Sequence, residues 1–229
     1  ILNGNTLSPF PGSFQYIAMG FLGDIGNGSI HILTLIIGAI ISVCFVVLEY
    51  RKRNQQAKYG IEQLSNNIFI GKILATVLVI MLFSYWLAIY KGIPFVFIIL
   101  GSLIVLYSFV TNKMVIGRHV YALGGNEKAT KLSGIKTKKV MFMVYVNMGI
   151  MAALAGLLFA ARLNASTPGA GEGFELDAIA ACYIGGASAT GGVGTIIGAI
   201  IGGLVMGVLN NGMSLMGVGS DWQQTIKGL

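Results

Sequence analysis

The sequence predicts an all-α fold: a polytopic bundle of membrane helices forming a single transmembrane domain over residues 1–229. Three observations carry this reading. Of the 229 residues, 55% are hydrophobic and only 10% charged, with a mean hydropathy of +0.79, against roughly 25% charged residues in average soluble domains. The apolar runs approach the ~20 residues a helix needs to cross a bilayer. They are also continuous, without the alternation of barrel strands. The two cysteines, Cys44 and Cys182, lie inside apolar segments and read as small buried hydrophobes without a disulfide framework.

In chain order, "IHILTLIIGAIISVCFVVL" at 30–48 is the first span. At 1.5 Å per residue it covers about the thickness of the hydrocarbon core. Spans two and three occupy 68–90 and 93–111, joined by the tight "KGIP" turn at 91–94. The fourth runs over 140–161, and a further apolar stretch over 194–211 follows a glycine-rich approach. Between these two, "ELDAIAACYIGGASATGGV" at 175–193 is too short to span and is interrupted by paired glycines. That pattern predicts a broken or re-entrant element beside protein or a watery cavity. The chain opens without Met and stops at "DWQQTIKGL", so it is expected to be an excerpt of a longer protein with helices at both ends.

The charges give the sidedness. Residues 49–67 hold Arg51, Lys52, Arg53 and Lys58, and residues 112–139 hold seven more, so eleven of the fifteen Lys and Arg fall in two loops. Residues 1–29 have none, and 162–177 set Arg162 against Glu172, Glu175 and Asp177. The positive-inside bias puts 49–67 and 112–139 in the cytoplasm. Net charge +7 is thereby explained by cytoplasmic loops rather than by nucleic acid.

Within "YALGGNEKATKLSGIKTKKV" at 121–140, a short capped helix is legible. Asn126 is a good N-cap, and Glu127 sits where the helix dipole favours an anion. Lys128 follows, Lys131 lies near the other end, and Gly134 suits the left-handed position after the last turn, with Ile135 next. Ala129, Leu132 and Ser133 share one face at i, i+3, i+4. A helix this short is marginal without a packing partner.

"GRHVYALGGNEKATKLSGI", with "ALAGLLFAARLNASTPGAGEGFELDAIAACYIGGASATGGVGTIIGAIIGGLVMGVLNNGMSLMGV" after it, resembles the permease subunits of bacterial ABC importers for monosaccharides. The basic segment "YRKRNQQAKYGIEQ" is most similar to the longer xylose-type members. The resemblance implies a multi-pass protein of the bacterial inner membrane. Its implied partners are a second permease subunit (a homodimer), two cytoplasmic ATP-binding subunits and an extracytoplasmic sugar-binding protein. It makes residues 126–134 the coupling helix docking in the ATPase. The segment 1–29, rich in Gly, Pro, Asn and aromatics, would form with 163–174 the outer surface on which the binding protein lands.

A neutral sugar needs amides and hydroxyls along its path, and Asn147, Ser188, Thr190, Asn210 and Asn211 are intramembrane groups of that kind. Interhelical hydrogen bonding is the competing role for each. Gly194, Gly198 and Gly202 form a four-residue row, as do Ala199, Gly203 and Gly207, and Ala152, Gly156 and Ala160. These read as close helix packing within one subunit, with a contact between two permeases as the alternative. "GGVGTIIG" lacks the Gly-Lys-Ser/Thr ending of a phosphate loop and follows no strand, so hydrolysis must come from a partner. No cofactor, metal site or catalytic constellation is expected, and His119 lies across the bilayer from the acids. An ion-coupled carrier acting alone is the other transport class, but spans nearly free of ionisable groups disfavour it.

Overall fold

The computed structural model describes residues 5–23, 31–58 and 65–228, which form ten α-helices and no strand. They are α1 (Gly12–Met19), α2 (Ile32–Lys58), α3 (Asn66–Tyr90), α4 (Phe95–Lys113), α5 (Val115–Gly125), α6 (Glu127–Leu132), α7 (Thr137–Leu163), α8 (Phe174–Ile184), α9 (Ile196–Leu215) and α10 (Ser220–Gly228). Helices α2, α3, α4, α7 and α9 are long and apolar enough to cross a membrane, so the chain is a multi-pass membrane protein. Each overlaps one of the five expected spans. The ends differ where polar sequence still favours a helix: α2 continues through "EYRKRNQQAK", which is rich in straight-chain and alanine residues with high helix propensity. Residue 30 of the first expected span and residues 1–4 and 24–29 of the outer segment lie outside the described residues, as do 59–64 of the first basic loop.

Two compact units divide the chain: Tyr16–Ile98, and Ile1–Gln15 with Ile99–Leu229. In the first, α2 and α3 run antiparallel. The His31 N–H donates to the Ala88 carbonyl at 3.1 Å at one end, and Lys72 pairs with Glu49 at the other. Between them Gly38 lies so close to α3 that a Cβ there would come within 2.6 Å of Ser84 Cβ. Thr34 and Ala88, 1% and 2% exposed, form the dry seam of this pair. The turn into α4 uses Gly92 at φ +86, a conformation glycine adopts without steric cost.

In the second unit, α8 and α9 form an antiparallel hairpin, α7 packs with α5 and α6, and α10 returns to α8. Helix α8 has 11 residues, about 16 Å against the ~30 Å hydrocarbon thickness, so it is the short, broken element expected over 175–193. Behind it Gly186, Gly191, Gly192 and Gly194 all carry positive φ, which is why the paired glycines end it. Inside the basic 112–139 segment, expected to be a loop apart from the short capped helix, lies α5. Its 11 residues are too short and too mixed in polarity to register as an apolar run.

The small-residue rows separate into packed and open ones. Methyl groups on Gly198 and Gly202 would overlap the carbonyls of Gly185 and Ala181, so these two glycines set the distance between α8 and α9. Gly194 does not belong to that row, because it precedes α9 in a left-handed turn at φ +151 beside Ala187. Gly156 packs against nothing in the described chain: a Cβ there meets no atom within 4 Å, and the same is true of Gly203 and Gly207. Four-residue spacing aligns small residues, but whether a neighbour meets them depends on the tertiary arrangement.

Candidate coupling and translocation elements

Helix α6 is closed at both ends by its own sequence. The Asn126 side chain accepts the Ala129 N–H at 3.0 Å, and extended backbone at Asn126 turns the chain into the helix. At the other end the Gly134 N–H donates to the Lys131 carbonyl at 3.1 Å and the Ile135 N–H to the Thr130 carbonyl at 3.4 Å. With Gly134 at φ +81, this is a Schellman closure. Thr130 is the residue α6 turns inward, 5% exposed, whereas Leu132 is 89% exposed. Ala129, Ser133, Glu127, Lys128 and Lys131 are exposed with it. The helix therefore presents Ala129, Leu132 and Ser133 outward, one large apolar side chain between two small ones. Replacing Asn126 with alanine removes the first cap and costs about 1 kcal/mol. The expected outcome is amide hydrogen exchange about fivefold faster at 128–130, with exchange in the long helices unchanged.

Immediately before that cap, the chain touches the hairpin. A Cβ on Gly192 would lie 2.7 Å from Gly125 Cα, and one on Gly191 would lie 3.0 Å from the Gly124 carbonyl oxygen. The Tyr121 hydroxyl donates to the Gly194 carbonyl at 2.8 Å. Two glycine pairs, "LGGN" and "TGGV", thus meet backbone to backbone. Gly124, Gly125 and Tyr121 are not among the expected site residues, and the recurrence of Gly-Gly in two polar stretches is their one signal in the sequence.

The five candidate path residues are not brought together. The Tyr107 hydroxyl donates to Asn147 Oδ1, which ties α4 to α7. The Ser188 and Thr190 hydroxyls hydrogen-bond each other at 2.8 Å in the exposed hairpin loop. Asn210, 14 residues into α9 and so about 20 Å from that loop, donates through Nδ2 to Asp177 Oδ2 at 3.1 Å. Asp177 also meets Lys227 at 2.8 Å, joining α8, α9 and α10. Asn211 is exposed. Asn147 of α7 and Asn210 of α9 each take one hydrogen bond with a neighbouring helix, while Asn210 Oδ1 is buried without a partner.

At the end of the unit remote from α6, Asn164 closes α7 in a left-handed conformation at φ 53. Its Oδ1 accepts the Phe10 N–H at 2.8 Å, and its carbonyl accepts the Ser8 hydroxyl at 3.1 Å. Leu7 and Ser166 exchange two backbone hydrogen bonds of 3.0 Å. Residues 5–10 and 164–166 therefore form one surface.

Comparison with known proteins gives a consistent result. The family described as branched-chain amino acid transport system, permease component, matches residues 29–229. The xylose transport system permease protein XylH of Haemophilus influenzae is 42% identical over 230 residues, covering 100% of this chain and 59% of that protein. XylH of Escherichia coli is 36% identical over 228 residues, covering 100% of this chain and 56% of the relative. The ribose import permease protein RbsC of Escherichia coli is 46% identical over 136 residues, 59% of this chain and 42% of RbsC. The chain thus spans less than two thirds of the length of these relatives. No solved structure matches it significantly.

Proposed function

The chain belongs to the family of branched-chain amino acid transport system permease components, and from that premise we propose that it is part of the translocation subunit of a binding-protein-dependent ABC importer. The cargo is a monosaccharide, xylose or a close relative, because two xylose permeases match the chain along its whole length whereas the ribose permease matches 59% of it. The protein resides in the bacterial inner membrane as one half of a permease homodimer, for which the open faces of Gly156, Gly203 and Gly207 offer close approach. The basic segment 112–139 is cytoplasmic, and the joined surface of 5–10 and 164–166 faces the sugar-binding protein.

One observation carries the reading: α6, closed by caps at both ends, exposes Leu132 almost completely. A side chain so placed fits a cleft in a partner, and the partner that supplies force to a permease is the ATPase. ATP-driven closure of the ATPase pair moves α6, and the Gly124–Gly125 contact passes that motion to Gly191–Gly192 and the α8–α9 hairpin. Alternating access follows if the hairpin moves against α7. ATP hydrolysis belongs to the partner.

The test is a cysteine at Leu132 in the full-length protein, crosslinked in membranes to the ATPase subunit encoded alongside. A specific adduct, together with ATPase activity that requires the sugar-loaded binding protein, is the expected result. Sugar uptake that continues without ATP and stops when the ion gradient is collapsed would replace this reading with an ion-coupled carrier.

A further inference from the structure

A cavity of about 690 Å³ opens in the second unit between α4, α5, the turn that follows α6, and α7, within the range of small-molecule sites. Its walls are mainly apolar, with Val110, Ile116, Val120, Val140, Met143 and Val144 among them. Its composition is graded along its length. Lys136 and Lys139 stand at one end beside Gly134 and Ile135, and the Tyr107–Asn147 hydrogen bond closes the other. Along α7, Thr137 to Asn147 is ten residues, a rise of about 15 Å, half the ~30 Å thickness of the hydrocarbon core. The cavity's length along α7 therefore equals about one leaflet, with its lysines at the Thr137 end and its apolar wall running toward Asn147. No Asp or Glu lines it, and among the described residues no carboxylate pairs with either lysine.

We propose that this cavity binds an anionic phospholipid of the leaflet at the lysine-rich end, with its phosphate on Lys136 and Lys139 and one acyl chain along Val140, Met143 and Val144. A basic mouth over a mainly apolar slot between membrane helices is suited to this chemistry. A neutral zwitterionic lipid would fill the slot equally well but would leave the two ammonium groups without an anion. The proposal does not rest on the transport reading, since it needs only the cavity, its charge and its depth. It does give the lipid a neighbour of consequence, because Ser133 and Gly134 at the closing turn of α6 belong to the same wall.

The experiment uses the full-length protein in nanodiscs of phosphatidylcholine with or without phosphatidylglycerol, with retained lipid read by native mass spectrometry after extraction. Retention of phosphatidylglycerol over phosphatidylcholine by on the order of tenfold, largely lost in Lys136→Gln/Lys139→Gln, is the expected result. Equal retention of the two lipids, or a preference that survives the double substitution, overturns the proposal. A second measurement identifies the occupant: Met143→Cys carrying a benzophenone, irradiated in the same membranes, should yield a lipid adduct. An adduct to another segment of the chain, to a second copy or to the ATPase would show that protein fills the slot, and the proposal then fails.

Discussion

Replacing Leu132 by aspartate is expected, under the coupling role proposed for α6, to abolish sugar-stimulated ATP hydrolysis by the assembled complex while leaving the permease folded. Leu132 contributes almost nothing to the fold, being 89% exposed, and α6 keeps the Asn126 and Gly134 closures that form it. Burying a leucine in a partner cleft contributes about 1.5–3 kcal/mol, and a carboxylate forced into the same apolar cleft costs at least as much again. A loss of about 3 kcal/mol weakens the permease–ATPase contact by more than 100-fold. Pull-down of the ATPase and reconstituted ATPase assays measure it, with Leu132→Met as the comparison that retains volume and hydrophobicity. Wild-type coupling in the aspartate variant would remove α6 from the interface.

The second large effect is structural. Gly202→Val drives a branched side chain into the Ala181 carbonyl, where even a single Cβ finds the Gly185 nitrogen at 2.9 Å. Overpacking of side chains costs about 1–3 kcal/mol when neighbours can repack. Here the obstacle is backbone, so α8 and α9 must separate along much of the hairpin. The expected result is a melting temperature lower by on the order of 10 °C in detergent, or loss of monodisperse protein. Gly212→Ala in the same helix is the internal control, since its Cβ meets nothing within 4 Å and its helix propensity improves. If the two variants melt alike, the tight hairpin contact is not part of the stability of the fold.

The contrast between glycines of one helix shows what the sequence could and could not convey. Continuous apolar runs disclose the five long helices because lipid requires every backbone group to be satisfied within the segment. Caps are equally local, so Asn126 and Gly134 announced α6. Helix α5 stayed hidden because its 11 residues have neither the length nor the unbroken apolarity of a span. Which small-residue row packs, and which amide meets which partner, depends on residues far apart in sequence. Asn210 with Asp177 and Tyr107 with Asn147 are such pairs. The path residues were chosen by chemistry alone, and chemistry does not distinguish an amide that binds a neighbouring helix from one that faces a passing sugar.

The meeting of Gly124–Gly125 with Gly191–Gly192 also bears on how such a protein can diversify. A joint made of main chain presents the same atoms whatever side chains surround it, so it carries no complementarity that must be re-established when one half changes. The side chains from Gly185 to Thr195 can then vary without loss of the joint, provided both partners keep their glycines. If α6 is driven as proposed, the hairpin can change its surroundings while the main-chain link that moves it stays the same.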